Sequence, residues 1–327
     1  MTRLLSVLLP LVVLLCLGSL VIGPAQVGVS ESLRALLGGG DGPLALVMRE
    51  IRLPRTILAA SIGASLGLAG AALQGYLRNP LAEPGLIGVS GAAALGAVLA
   101  IQTGLAAAFY LALPLAALAG AVLAVVLLLS LAGPRGGALT LILAGVALSA
   151  LTGALTSLVL NLSPNPFAAN EIVFWMMGSL ADRSMLHVWL ALPVMAIGWA
   201  LLLPLARPLE ALTLGEDAAA AMGVNLARLR WQVVLGTACV VGAGTAVAGV
   251  IGFIGLVVPH LLRPLVGARP GPLLIASALG GAAMLLAADI AVRVVLPGRD
   301  LKLGVLTALV GAPFFLHLVW RTGRISA

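Results

Sequence analysis

Long apolar runs, separated by short polar or Gly/Pro-containing stretches, fill almost the whole chain. A helix needs about 20 apolar residues to cross the hydrocarbon core of a bilayer. On this criterion the pattern predicts about ten membrane-spanning helices. We place them at residues 4–22, 56–75, 88–107, 111–132, 138–160, 186–206, 231–249, 253–266, 273–296 and 303–320.

The apolar run over residues 231–262 is too long for one crossing. It contains no Asp, Glu, Lys or Arg. As one helix it would measure about 48 Å at 1.5 Å per residue, whereas the hydrocarbon core is about 30 Å thick. Glycines and Pro259 therefore predict a break between two shorter elements that pack against protein rather than lipid. The glycines are Gly242, Gly244, Gly249, Gly252 and Gly255.

The first apolar run, residues 4–22, resembles a cleaved secretory signal because it follows Arg3 near the start of the sequence. Its length of about 19 residues, however, exceeds the apolar region of such signals and matches a bilayer crossing. Leu15 directly before Cys16 also disfavours lipoprotein processing, which uses a small residue at that position. We therefore expect the run to be the first membrane helix.

The composition agrees with this pattern. The 327 residues are 61% hydrophobic and 9% charged, with a mean hydropathy of +1.18, which excludes a soluble globular domain. The 40 glycines, beside 4% aromatic residues, favour helices that pack closely through small side chains. A membrane β-barrel would show short alternating segments and aromatic girdles instead. The prediction is an all-α polytopic membrane protein with a single transmembrane domain over residues 1–327.

The basic residues are spread over loops, so the net charge of +7 does not indicate a nucleic-acid partner. With ten crossings both termini lie on one side, and Arg3, Arg321 and Arg324 favour the cytoplasm. Ten basic residues then fall inside and eight outside, a weak fit to the positive-inside rule. The outside group clusters at residues 49–55 and 293–302, which suggests a function for these positions.

The sequence lacks the residue patterns of common catalytic sites. A phosphate-binding loop needs a lysine in a Gly-rich turn, and the only lysine is Lys302. The three histidines and two cysteines show no metal-ligand spacing. We therefore expect no metal or cofactor on this chain, and an integral-membrane enzyme is disfavoured.

Asp289 is the main acid within an apolar run, and a charge inside a membrane is a functional hypothesis by default. Arg293 lies four residues later, so the two side chains can pair on one helix face. We therefore predict an ion pair between Asp289 and Arg293. An ion-coupled secondary transporter would need more buried titratable groups along its transport path. It is nevertheless kept as the alternative class of transporter.

Four segments in order carry a family resemblance. They are the Arg52–Arg55 motif with the Gly/Ala-rich run after it, the turn at residues 79–90, and the runs at 252–260 and 304–316. Together they closely resemble FecCD-type permease subunits of type II ABC importers for iron chelates, haem and cobalamin. The resemblance implies a homodimer in the bacterial inner membrane. It also implies two copies of a separate ATPase, which holds ATP and Mg, and a periplasmic substrate-binding protein.

The resemblance assigns docking of the binding protein to Arg52, Arg55 and Arg293. A guanidinium suits this role because its planar fork binds a carboxylate through two hydrogen bonds. Anchoring of helix ends at the lipid head groups is the alternative for these residues. Arg49 and Arg299 stay undecided between the two roles.

The resemblance also assigns a coupling helix, which contacts the ATPase, to residues 213–223. Thr213 and Glu216 have the spacing of a capping box, the acids lie at the positive end of the helix dipole, and Gly223 is placed to end the helix. An ordinary interfacial helix is the alternative, but that would call for large apolar and basic residues. The predicted contact residues are Thr213, Leu214, Gly215, Glu216, Asp217, Ala218 and Gly223.

The substrate is the least determined feature. The resemblance makes haem the first choice of substrate. Cobalamin and ferric siderophores are the alternatives. Met176 and Met177 could face a large planar ligand in the translocation path, although methionines in apolar segments more often serve packing. The resemblance further implies that predicted spans two to five and seven to ten form two inverted halves.

Overall fold

The computed structural model describes residues 2–23, 28–38, 42–133, 137–295 and 301–325. Within these ranges the chain is helical and contains no strand, which confirms the all-α prediction. The helices are α1 Thr2–Val21, α2 Val29–Leu37, α3 Pro43–Leu46, α4 Leu53–Tyr76, α5 Val89–Gln102, α6 Leu105–Ala108, α7 Ala112–Ala132, α8 Ala138–Asn161, α9 Pro166–Met176, α10 Met185–Leu202, α11 Ala206–Leu212, α12 Glu216–Ala221, α13 Leu226–Ala248, α14 Ile254–Leu262, α15 Pro270–Val295 and α16 Leu303–Ile325.

Among the described residues, seven helical stretches are long and apolar enough to cross a membrane. Val89–Gln102 and Leu303–His317 are shorter apolar helices. Helix α14 has 9 residues and spans about 14 Å, less than half of the hydrocarbon core. The number of crossings, about ten, therefore stays a prediction.

The predicted break in the long apolar run is confirmed. Helix α13 ends at Ala248 and α14 begins at Ile254, so residues 249–253 form a non-helical connection. Gly249 and Phe253 both have positive φ, 73° and 68°. Gly242 and Gly244 lie instead inside α13, where small residues allow close packing of helices.

Helices α4 and α15 form a central pair with nearly touching backbones. A Cβ added to Gly63 would lie 2.3 Å from the carbonyl oxygen of Gly281, and one added to Gly67 would lie 2.0 Å from that of Ser277. Real Cβ atoms do not approach so closely, so only glycine permits this contact. The glycine-rich composition thus has the packing role that membrane helices favour.

Two groups of four helices, the first α4, α5, α7 and α8 and the second α13 to α16, have matching contacts. In the first, α5 contacts α7 and α8; in the second, α14 contacts α15 and α16. Across the groups, α13 contacts α5 and α7, and α4 contacts α14 and α15. Two halves with the same fold produce such a pattern.

Helices α2, α3 and α9, and most of α11, lie where no span was placed. Helix α9 follows an N-terminal cap in which Asn165 accepts a hydrogen bond from the backbone of Phe167, with Pro166 at the first position. Helix α2 precedes α3, and a π-helical turn, Val47–Arg52, joins α3 to α4. Arg49, Arg52 and Arg55 therefore lie on helix rather than in a loop before it.

Candidate functional site

The first candidate surface is an arginine cluster, formed by Arg52, Arg55, Arg293 and Asp289. Asp289 is fully buried and pairs with Arg293 at 2.9 Å between Nη2 and Oδ2, which confirms the predicted pair. Arg55 also pairs with Asp289, at 2.8 Å between Nη2 and Oδ1. One carboxylate thus holds two guanidiniums from α4 and α15.

Arg52 and Arg293 cap the end of α1. A helix leaves its last four carbonyls without intrahelical partners, and cations suit that end of the helix dipole. Nη1 of Arg52 donates to the carbonyls of Leu20 and Val21 at 2.9 and 2.7 Å, and Nη1 of Arg293 donates to those of Ser19 and Ile22 at 2.8 and 2.7 Å. The cluster therefore joins α1 to α4 and α15.

The three arginines differ in exposure. Arg52 is 4% exposed, and the side chains of Arg293 and Arg55 are 7% and 17% exposed. All three contact groups of their own chain, and docking of a partner stays a prediction. Arg49 donates a long hydrogen bond, 3.4 Å, to the carbonyl of Leu36. Arg299 lies outside the described residues.

The second candidate surface is α12 with its flanking residues. The acids Glu216 and Asp217 lie in its first turn, as predicted, and Gly223, with φ of 85°, follows its end. The predicted capping box is wrong. Helix α12 begins at Glu216 after Gly215, whose φ of 104° favours glycine, and no side chain caps it.

Thr213 belongs to the preceding helix. Its Oγ1 donates to the carbonyl of Glu210 at 2.7 Å, and the residue forms the C-cap of α11. Thr213 therefore ends one helix instead of beginning the next. Sequence spacing alone could not show this, because the left-handed turn at Gly215 separates the two helices.

The α12 surface is exposed and mostly uncharged. Leu214 is 68% exposed and Met222 is 64% exposed, whereas Ala219 is buried against the bundle. Ala218 lies at the edge between these environments. Beside α12, a groove of about 530 Å³ runs between α11 and the start of α13, with Arg207 and Arg228 in its walls. This shape suits contact with another protein.

The third candidate surface is an apolar cavity of about 650 Å³. Met176 and Met177 line it, so the structure brings the predicted path residues together with the 249–253 connection and the first half of α16. Phe253 and Pro313 contribute from these two elements. The lining offers dispersion contacts rather than ionic ones.

The turn after α4 contacts the 249–253 connection through Glu83, which sequence reasoning did not select as a site residue. Its Oε1 accepts a hydrogen bond from the backbone N–H of Phe253 at 2.6 Å. Burial raises the pKa of the Glu83 carboxyl, and the Phe253 hydrogen bond partly offsets this by stabilising the ionised form. The sequence feature that could have found it is a single acid between two prolines, Pro80 and Pro84.

Gln74 forms a neighbouring polar contact that joins α4 to the turn after it and to Arg263 at the end of α14. Its buried amide donates to the carbonyl of Ala82 at 3.3 Å, and its Oε1 accepts from Nη2 of Arg263 at 2.7 Å. Within the described part of the chain, no group of three or more His, Cys, Asp or Glu side chains could hold a metal ion. The polar groups of these sites serve helix contacts.

Comparison with curated proteins shows several relatives of similar identity. The cobalamin import system permease protein of Halobacterium salinarum is 40% identical over 300 residues, 90% of this chain and 76% of that protein. The hemin transport system permease protein of Yersinia pestis is 38% identical over 326 residues, 97% and 95% of the two chains. The Fe(3+) dicitrate transport system permease protein FecD of Escherichia coli is 40% identical over 275 residues, 84% and 85%.

A solved structure, described as an inward-facing conformation of a metal-chelate type ABC transporter, has the same fold. It superimposes with a TM-score of 0.85 at 35% identity, and the match covers 98% of this chain and 100% of that one. The model of the FecCD transport family matches residues 11–321. The match extends over nearly all the predicted spans, and the chain belongs to the FecCD transport family.

Proposed function

We propose that this chain is the permease subunit of a type II ABC importer that moves haem across the bacterial inner membrane. Membership of the family supports the role of a multi-pass permease for an iron chelate, haem or cobalamin. The apolar cavity at Met176, Met177 and Phe253 carries the choice of haem, because a large planar ligand with apolar faces suits such walls. Cobalamin and ferric siderophores are the alternative substrates.

The working unit in this proposal is a homodimer of single-domain permeases with both termini in the cytoplasm. A separate ATPase binds and hydrolyses ATP with Mg, since this chain offers no phosphate-binding loop. One ATPase seats on each α12 surface, where Leu214 and Met222 are exposed. The permease itself binds no cofactor.

Delivery of substrate requires a periplasmic binding protein, which we place on the arginine cluster. The four residues of the cluster carry three positive charges and one negative charge, so two positive charges remain in excess. Carboxylates on the binding protein complement this excess. Arg55, the most exposed of the three, contributes most to docking.

Transport assays in liposomes test the substrate. The permease, its ATPase and its binding protein are reconstituted together, and uptake of haem, cobalamin and a ferric siderophore is measured with and without ATP. Haem uptake that requires ATP supports the proposal. ATP-dependent uptake of another ligand corrects the substrate and keeps the importer.

The ion-coupled transporter is tested in the same vesicles without the ATPase. It predicts uptake driven by a proton gradient and sensitive to Asp289→Asn. The structure disfavours this reading, because Asp289 is fixed between two arginines. Gradient-driven uptake by the permease alone would replace the importer with this alternative.

A further inference from the structure

Phe253 has an unusual backbone conformation for its residue type. Its φ is 68°, in the left-handed region, which is unfavourable for an L-residue other than glycine. Glycine would adopt this φ without that cost, and four of the eight residues at 248–255 are alanine or glycine. Backbone strain of this kind concentrates at functional sites, where the surrounding structure maintains it.

Hydrogen bonds at two points hold the backbone conformation at and before Phe253. From one side, Glu83 accepts the Phe253 N–H at 2.6 Å across 170 residues of sequence. This distance is short for an N–H···O hydrogen bond, whose usual range is about 2.7–3.2 Å. From the other side, the N–H of Ser179 donates to the carbonyl of Ala248 at 2.7 Å, which fixes the beginning of the same connection.

Helix α16 leaves space for the Phe253 side chain. A Cβ added to Gly311 would lie 2.3 Å from Cβ of Phe253 and 2.4 Å from its Cγ. Any larger residue at 311 would therefore displace the ring from its place. The ring lies in the wall of the apolar cavity, together with Met176 and Met177.

We infer that Phe253 is a ligand-contact residue of the transport path, and that Glu83 is the residue that positions it. The inference rests on the proposed transport function. The ring offers an aromatic face to a ligand that itself has an extended apolar or aromatic face. Glu83 fixes the backbone that carries the ring and does not contact the ligand.

The contact is tested by substitution of Phe253 in the reconstituted complex. Hemin, cyanocobalamin and ferrichrome serve as probes, and uptake and ATP hydrolysis are measured together. For the probe that the unmodified complex carries, we expect Phe253→Ala to lower uptake roughly two- to tenfold, the range of an aromatic contact. Phe253→Tyr keeps the ring and should restore uptake, whereas ATP hydrolysis should change little in both variants.

The positioning role is tested without any ligand. Hydrogen exchange of the backbone at residues 249–256 is compared between Glu83→Leu and Glu83→Gln. Leucine removes the acceptor, so exchange at the Phe253 amide should become faster, while glutamine keeps a side-chain oxygen that can accept the same hydrogen bond. Glu171→Leu, on an exposed part of α9, is the matched control and should leave exchange unchanged.

The outcomes separate the inference from the function on which it rests. If the unmodified complex transports none of the probes, both the proposed function and the ligand contact are overturned. If it carries one and Phe253→Ala carries it equally well, the contact alone is overturned. Unchanged exchange in a Glu83→Leu variant that elutes as a folded species would overturn the positioning role.

Discussion

The arginine cluster and the α12 surface are built in opposite ways, although both are proposed to bind partner proteins. The cluster is buried, and its arginines already hold Asp289 and the end of α1. The α12 surface is exposed and, apart from Glu216 and Asp217, contributes small or apolar side chains. A partner at the cluster must therefore compete with contacts that stabilise the fold, whereas a partner at α12 meets a surface that the fold scarcely uses.

The largest expected effect concerns Asp289. Asp289→Asn removes a fully buried negative charge that pairs with two guanidiniums, and the loss of one partner from a buried ion pair costs about 3–5 kcal/mol. We expect a large fall in the thermal unfolding midpoint of the detergent-purified permease. Asp217→Asn, an exposed acid on α12, is the control and should change the midpoint little. Equal midpoints for the two variants would show that the cluster does not stabilise the fold.

A second experiment separates docking from stability within the cluster. Arg55→Met should weaken binding of the periplasmic binding protein by roughly 10- to 150-fold, because hydrogen bonds to charged groups contribute about 1.5–3 kcal/mol. It should lower the unfolding midpoint less than Asp289→Asn does, because Asp289 keeps Arg293 as a partner. Arg52→Met removes a cap of α1 and should mainly lower the unfolding midpoint. Affinity and midpoint are measured on the same preparations. If Arg52→Met weakens docking more than Arg55→Met does, exposure does not decide which arginine docks.

A smaller effect is expected at Gly215, where the chain turns into α12. Its φ of 104° places alanine in a strained conformation that costs about 1–3 kcal/mol. Gly215→Ala should therefore displace α12 and reduce binding of the ATPase, with little change in the bundle. Gly137→Ala, at an open position with φ of −83°, is the matched control. Normal ATPase binding by Gly215→Ala would remove α12 from the proposed interface.

The smallest effect is expected for Glu216→Ala. An acid in the first turn of a helix contributes about 0.3–1 kcal/mol through the helix dipole, so the fold should remain intact. We expect uptake per ATP hydrolysed to fall, because a less stable α12 transmits less of the ATPase movement. A ratio equal to that of the unmodified complex would show that Glu216 has no part in coupling.

The sequence predicted features with a local pattern. Glycine spacing located the break before Phe253, and the four-residue interval predicted the Asp289–Arg293 pair. Asn165 followed by Pro166 is also a local pattern that indicates the start of a helix, and helix α9 should have been predicted from it. In each case the interaction lies within a few residues along the chain.

Features that join distant parts of the chain could not be predicted in this way. Arg55 and Asp289 are 234 residues apart, and no periodicity connects them. The bond from Phe253 to Glu83 likewise depends on the packing of the two halves. The capping box failed for a different reason, because the spacing of Thr213 and Glu216 does not show the turn between them.

The cap of α1 also has a consequence for biosynthesis. Arg293 follows Ser19 by 274 residues, and a ribosome that adds roughly 5–20 residues per second takes about 15–55 s to cover this distance. Arg52 can reach the end of the first helix early, but the second guanidinium arrives only when nearly the whole polypeptide has been made. During that interval the nascent chain must keep two carbonyls of its first helix in contact with water, lipid head groups or the insertion machinery.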